Sequence, residues 1–98
     1  MKVHYHSKKL EKICSNASEA EKAYGAVMAE KIQMRITQIK AASTIETMIQ
    51  YHIGRCHPLT GDRKGQYAMD LSHPYRLVFK VKQESIEIAE IIEIVDYH

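Results

Sequence analysis

The sequence predicts an α+β domain in which N-terminal helices pack on a C-terminal antiparallel sheet. Two observations carry this: apolar residues recur at three- and four-residue steps up to about position 50, and after Gly54 the period becomes two. A third is Pro74, which divides the alternating region into two strands of comparable length.

Taken in chain order, Val3 to His6 reads as a short opening strand, and Ser7 as the cap of a short helix through Leu10 and Cys14. Ser18 and Glu21 form a capping box, in which each side chain satisfies a free backbone donor of the first turn. Ala20, Ala23, Tyr24, Val27, Met28, Ile32, Ile36 and Ile39 then make one apolar stripe, predicting a single long helix that ends near Ala42. Gly25 weakens it by up to about 1 kcal/mol relative to alanine. Ser43 and Glu46 repeat the box and start a shorter helix carrying Ile45, Met48 and Ile49. Tyr67, Met69 and Leu71 alternate with Gln66, Ala68 and Asp70; Tyr75, Leu77, Phe79 and Val81 alternate with Arg76, Val78 and Lys80. These are two strands facing one core, joined through Ser72 to Pro74, where the proline holds His73 extended. A turn at Lys82 to Ser85 leads into Ile86 to Tyr97, a β-branched run apolar on both faces and therefore expected at the centre of the sheet.

With 98 residues the chain has room for one domain, 1–98, and its 45% hydrophobic residues can form a core. No apolar run approaches the roughly 20 residues that span a bilayer, and no secretory apolar stretch follows Met1. A cytoplasmic protein with no membrane partner is expected. Cys14 and Cys56 lie far apart with no paired-cysteine spacing, so both should be reduced. The net charge of +2 is too small to argue for nucleic acid, but its distribution is uneven. Residues 51–82 hold six basic and two acidic side chains, whereas residues 83–98 hold five acidic and no basic ones.

Four groups of residues are candidates for chemistry. The stretch RCHPLTGDRKG, Arg55 to Gly65, concentrates Arg55, His57, Arg63 and Lys64 among turn residues, fitting either a phosphate-binding loop or a solvated hairpin. Arg76 lies mid-strand on the face away from the core, so it must reach solvent, a ligand or a carboxylate such as Asp70. Asp96, Tyr97 and His98 crowd an acid, a phenol and an imidazole into three positions. His4 and His6 have ligand spacing without companions, and no metal or other cofactor is expected. Cys14 reads as a packed residue rather than a nucleophile.

HPLTGDRKG at His57 to Gly65, PYRLVF at Pro74 to Phe79 and the final DYH at Asp96 to His98 together resemble the HigB-type toxins of the RelE/ParE toxin–antitoxin superfamily. The resemblance spans essentially the whole chain and is loosest over HSKKLEKI, His6 to Ile13. It implies a microbial-RNase-like α+β fold, ribosome-dependent cleavage of translated mRNA, and a helix-turn-helix antitoxin as partner, beside the ribosome and mRNA. It also implies catalytic roles for His57, Arg76, Asp96, Tyr97 and His98. Cleavage by attack of the 2′-OH needs a base, an acid and cations but no metal, and imidazole, which ordinarily titrates near pH 6.5, suits either proton-transfer role. Which histidine would be base and which acid stays open. Arg55, Arg63, Lys64 and Lys80 are the expected RNA contacts. The alternative is a ParE-like toxin that binds DNA gyrase and cuts no RNA.

Overall fold

The computed structural model describes residues 1–97, and His98 lies outside them. The chain opens with strand β1 (Lys2–Tyr5), followed by helices α1 (Lys8–Ser15), α2 (Ala17–Tyr24), α3 (Ala26–Ala41) and α4 (Ile45–Gln50). A one-turn 3₁₀ helix (Ile53–Arg55) leads to β2 (His57–Pro58), and a second (Gly61–Arg63) to β3 (Gln66–Asp70), β4 (Tyr75–Gln83) and β5 (Glu87–Asp96). The five strands form one sheet in the order β1-β5-β4-β3-β2.

The helical half departs from the sequence expectation at two junctions. The predicted long helix is broken at Gly25, whose φ of +88° and ψ of 167° fall in a region essentially restricted to glycine. Gly25 N–H closes α2 on the Glu21 carbonyl, and its own carbonyl accepts from Ala29 N–H to open α3. An apolar stripe continues across such a break, so periodicity alone does not report it. The start of α2 is capped by Asn16, whose Oδ1 accepts from the N–H groups of Ser18 and Glu19 at 3.0 and 3.3 Å, rather than by Ser18. Thr44 likewise displaces Ser43 as the cap of α4, accepting from Thr47 N–H at 3.2 Å. Glu87 of β5 accepts from Ile45 N–H at 2.9 Å and so ties this helix to the sheet. Ser7 caps α1 as expected.

In the strand half β2 through β5 pair antiparallel, but β1 joins β5 in parallel, with Val3 opposite Ala89, so the sheet is mixed. Four residues of local pattern do not encode a strand's partner or its direction. The predicted central strand, β5, is interior but second from the edge, and β4 occupies the centre. Between β3 and β4 the His73–Pro74 peptide bond is cis, and Tyr75 N–H donates to the Ser72 carbonyl at 2.8 Å.

One face of the sheet carries the core. Met69, Leu77, Phe79, Ala89 and Ile91 are fully buried there against Met28, Ile32, Ile36, Ile39 and Met48 of the helices. Burying each large member of this set contributes on the order of 1.5–3 kcal/mol. The opposite face has no helix over it and bears the alternate residues, including His57, Ala68, Val78, Arg76 and Asp70. No helix among the described residues is long and apolar enough to cross a membrane.

Candidate active site

The helix-free face gathers three of the candidate residues, Arg55, Arg76 and Tyr97, at one end. Cross-strand register places Arg76 of β4 between Asp70 of β3 and Val95 of β5, and the adjacent row runs His57, Ala68, Val78, Glu93. Ala68 and Val78 in the middle of that row are fully buried, with longer polar groups on either side.

Asp70 is the hub. Its carboxylate accepts two hydrogen bonds from Arg55, from Nε at 2.6 Å and from Nη2 at 3.0 Å, and Arg76 Nε stands 3.7 Å from its Oδ1. The Arg55 hydrogen bonds, followed by the charges of Arg55, Arg76 and His57, hold the Asp70 carboxyl below the usual carboxylate range against the opposing effect of partial burial. Arg55 itself adopts the left-handed conformation, φ +56°, in a segment where His52 and Gly54 do the same. A non-glycine residue there costs of order 1 kcal/mol, and such strain concentrates at functional positions.

Arg76 makes no hydrogen bond among the described residues, because its 3.7 Å approach to Asp70 is beyond hydrogen-bonding reach. Its guanidinium carbon lies 4.5 Å from the centroid of the Tyr97 ring, a cation–π arrangement that fixes the plane of the fork. Tyr97 is held in turn by its N–H, which donates to the Pro74 carbonyl at 3.0 Å. Arg55, Asp70, His73, Tyr75, Arg76 and Tyr97 line a cleft of about 130 Å³ at this end of the sheet.

His57 enters through the neighbouring edge strand. Its Nδ1 lies 2.8 Å from the Arg55 carbonyl, which can only accept, so this bond requires the proton on Nδ1. Nε2 then has no partner among the described residues and presents a lone pair when the ring is neutral or a second proton when it is charged.

Two expected members stand apart. Asp96 pairs with Tyr75 in register, and strand alternation directs it to the face of Tyr75 and Ile94, opposite Arg76; it is not without a partner. His98 lies outside the described residues. Of the four expected RNA contacts, Arg55 is committed to Asp70. Arg63 donates to Glu93 at 2.6 Å and to Gln66 at 2.9 Å, which stretches it across β4 as a strap. Lys64 and Lys80 form no ion pair among the described residues. The basic middle segment is thus partly neutralised by the acidic last strand, through Arg63–Glu93 and Lys82–Glu90.

The sequence reading missed His73, which lines the cleft from the β3–β4 turn. Its only signal was a place beside a proline, which reads as turn chemistry. Asp70 appeared there only as a possible partner of Arg76, since nothing in linear spacing brings Arg55 to it. The buried thiols of Cys14 and Cys56 are pushed up to about 11, which suits packed residues and not nucleophiles. No group of three or more histidine, cysteine or acidic side chains among the described residues is arranged to hold a metal.

No protein-family model matches the chain, and no curated protein does. Solved structures do. A YoeB/ParE toxin from Agrobacterium tumefaciens aligns over 100% of both chains with a TM-score of 0.69 at 21% identity. The chain has the YoeB/ParE toxin fold. A chain of the YoeB–YefM complex from Staphylococcus aureus aligns with 100% of this chain and 97% of its own, with a TM-score of 0.65 at 19% identity. At these identities the shared property is the fold, and the chemistry has to come from the side chains that this chain places on it.

Proposed function

We propose that this chain is the toxin of a type II toxin–antitoxin module, HigB-like within the RelE/ParE superfamily, and that it cleaves translated mRNA on the ribosome. The observation that carries the reading is the end of the helix-free face, where Arg76 stacks on Tyr97 without a hydrogen bond among the described residues and His57, on the same face two strands away, keeps Nε2 without a partner among them. The fold shared with YoeB/ParE toxins supports it.

In this reading Arg76 takes the scissile phosphate and neutralises the charge that builds on it as the 2′-OH attacks. His57 uses Nε2 either to accept the 2′ proton or to donate one to the departing 5′ oxygen. The second proton-transfer group is His98, with Asp96 as the alternative base if the chain end turns. Tyr97 supports the Arg76 fork, which occupies one face of its ring, so a nucleobase would stack on the other. Lys64 and Lys80 meet RNA backbone, Arg55 and Arg63 hold the loop that carries His57, and no metal is used. The partner is a helix-turn-helix antitoxin, in keeping with the Staphylococcus neighbour, whose YoeB chain is found in complex with YefM.

Incubating the purified protein with translating ribosomes and mapping new mRNA ends tests the reading. Site-specific cuts that require the ribosome support it. Intact mRNA, accompanied by gyrase-dependent breaks in plasmid DNA, would replace it with the ParE-like alternative, to which the double name of the Agrobacterium neighbour lends some weight.

A further inference from the structure

Arg35 belongs to the helical layer, yet its guanidinium reaches through to the strand that carries Asp70. Nε donates to the Asp70 main-chain carbonyl at 2.6 Å, and Nη1 donates to Gln38 Oε1, one turn further along α3, at 2.9 Å. The same guanidinium lies directly under the left-handed turn that leads to Arg55. A methyl group built on Gly54 would stand 2.8 Å from Arg35 Nε and 2.9 Å from its guanidinium carbon. Glycine suits that position at φ +58°, and a Cβ there would force the Arg35 guanidinium to shift.

These contacts bracket the Arg55–Asp70 pair from behind. The backbone of Asp70 is anchored by a charge-assisted hydrogen bond, and the backbone before Arg55 is seated on the same side chain. A carboxylate that holds one arginine with two bonds of 2.6 and 3.0 Å, and stands 3.7 Å from another, needs its own main chain fixed to within a few tenths of an ångström. Partial burial lowers the Arg35 pKa while the nearby Asp70 charge raises it.

We infer that Arg35 is a positioning residue of the site: from α3 it fixes the Asp70 main chain and the Gly54–Arg55 turn, and thereby sets the geometry in which Asp70 holds Arg55 and Arg76. This deepens the proposed function, but its geometric part stands independently of what the site cuts. Arg35 acts through Asp70 and the Gly54–Arg55 turn and not on substrate.

The test is the titration of the Asp70 side-chain carboxyl by carbon NMR in the wild type and in Arg35→Met, Arg35→Lys and Gln38→Ala, with ribosome-dependent mRNA cleavage measured alongside. Removing the anchor loosens the Arg55–Asp70 bonds and removes a nearby positive charge, so Arg35→Met is expected to move the Asp70 midpoint up by about half a pH unit or more, while the uncharged Gln38→Ala isolates the positioning effect. Arg35→Lys should recover part of the shift. Gln38→Ala, at a half-buried position outside the site, should produce a smaller rise in a protein that still folds, and it decides the matter if Arg35→Met does not fold. Cleavage by Arg35→Met should show a kcat about tenfold lower with KM little changed, because Arg76 still offers its donors while its orientation is lost. An Asp70 midpoint unmoved in every variant that folds overturns the inference, whatever happens to melting temperature. A shifted midpoint in a protein that never cuts mRNA upholds the positioning role and rejects the ribonuclease reading instead.

Discussion

Replacing Arg76 with alanine separates chemistry from packing at a single residue. The side chain is about one-third exposed, makes one loose ion pair and one cation–π contact among the described residues, and lies outside the core. Its loss should cost less than about 1 kcal/mol of stability, since exposed pairs and such ring contacts are each worth a fraction of that. Cleavage should nevertheless fall by a factor of order 100 or more, because the other guanidinium lining this cleft, Arg55, is bound to Asp70. A variant that unfolds in a urea titration would show that Arg76 is structural. Asp70 makes a complementary prediction through pH. Its folded pKa is depressed, so its ionised form adds stability that is fully present above the ordinary aspartate range and is lost as pH falls through the folded value. The gap in urea midpoint between wild type and Asp70→Asn should therefore be constant above about pH 5 and shrink below about pH 4. A gap that widens on acidification would mean that the Arg55–Asp70 bond is not what depresses the carboxyl.

At the scale of elements, most helices and strands were legible because each is announced by its own period. What was illegible is where they stop and whom they meet. Gly25 shows why. Propensity alone says that alanine at this position should stabilise a continuous helix by up to about 1 kcal/mol. The structure says the opposite. A Cβ at Gly25 meets no atom within 4 Å, so space is not the obstacle, but φ +88° with ψ 167° is strained for any L-side chain. Gly25→Ala is expected to destabilise by about 1–3 kcal/mol, the usual cost of holding a residue in that region. Measured stabilisation would mean that α2 and α3 run on as one helix, as the apolar stripe suggests. The caps carry the same lesson: Asn16 and Ser18, like Ser43 and Thr44, are competing cap residues one or two positions apart. The choice between them is made by the neighbouring packing, by the close α1–α2 junction at Asn16 in one case and by Glu87 on Ile45 in the other. The parallel pairing of β1 lies beyond local pattern altogether, since it joins the two ends of the chain. In the candidate site, Arg76 drew notice because a charge in mid-strand needs a reason, and His57 and Tyr97 entered with the motifs that resemble HigB-type toxins. Asp70 as hub was not, because its partner comes from a strained turn 15 positions earlier.

The whole molecule decides which cations remain for a polyanion. Counting side chains gives the segment 51–82 a strong positive excess, but folding sets β5 beside β4 and removes part of it. Arg63 is spent on Glu93 and Gln66, Arg55 on Asp70, and Lys82 sits 3.7 Å from Glu90. Arg76, Lys64 and Lys80 stay available on or beside the helix-free face. Each phosphate neutralised on single-stranded RNA contributes a slope of about −0.7 to the logarithm of affinity against the logarithm of salt concentration. Three contacts predict a slope near −2 for a short RNA blocked at the 2′ position, measured by fluorescence anisotropy across a salt series. Lys64→Ala should bring it to about −1.4 with stability unchanged. Arg63→Ala should leave the slope where it was and lower the unfolding midpoint, because the strap across β4 is lost while no phosphate contact is. If Arg63→Ala instead flattens the slope as much as Lys64→Ala does, Arg63 leaves Glu93 when RNA arrives. The acidic end of β5 would then be a competitor for the RNA-binding cations and not a fixed part of the scaffold.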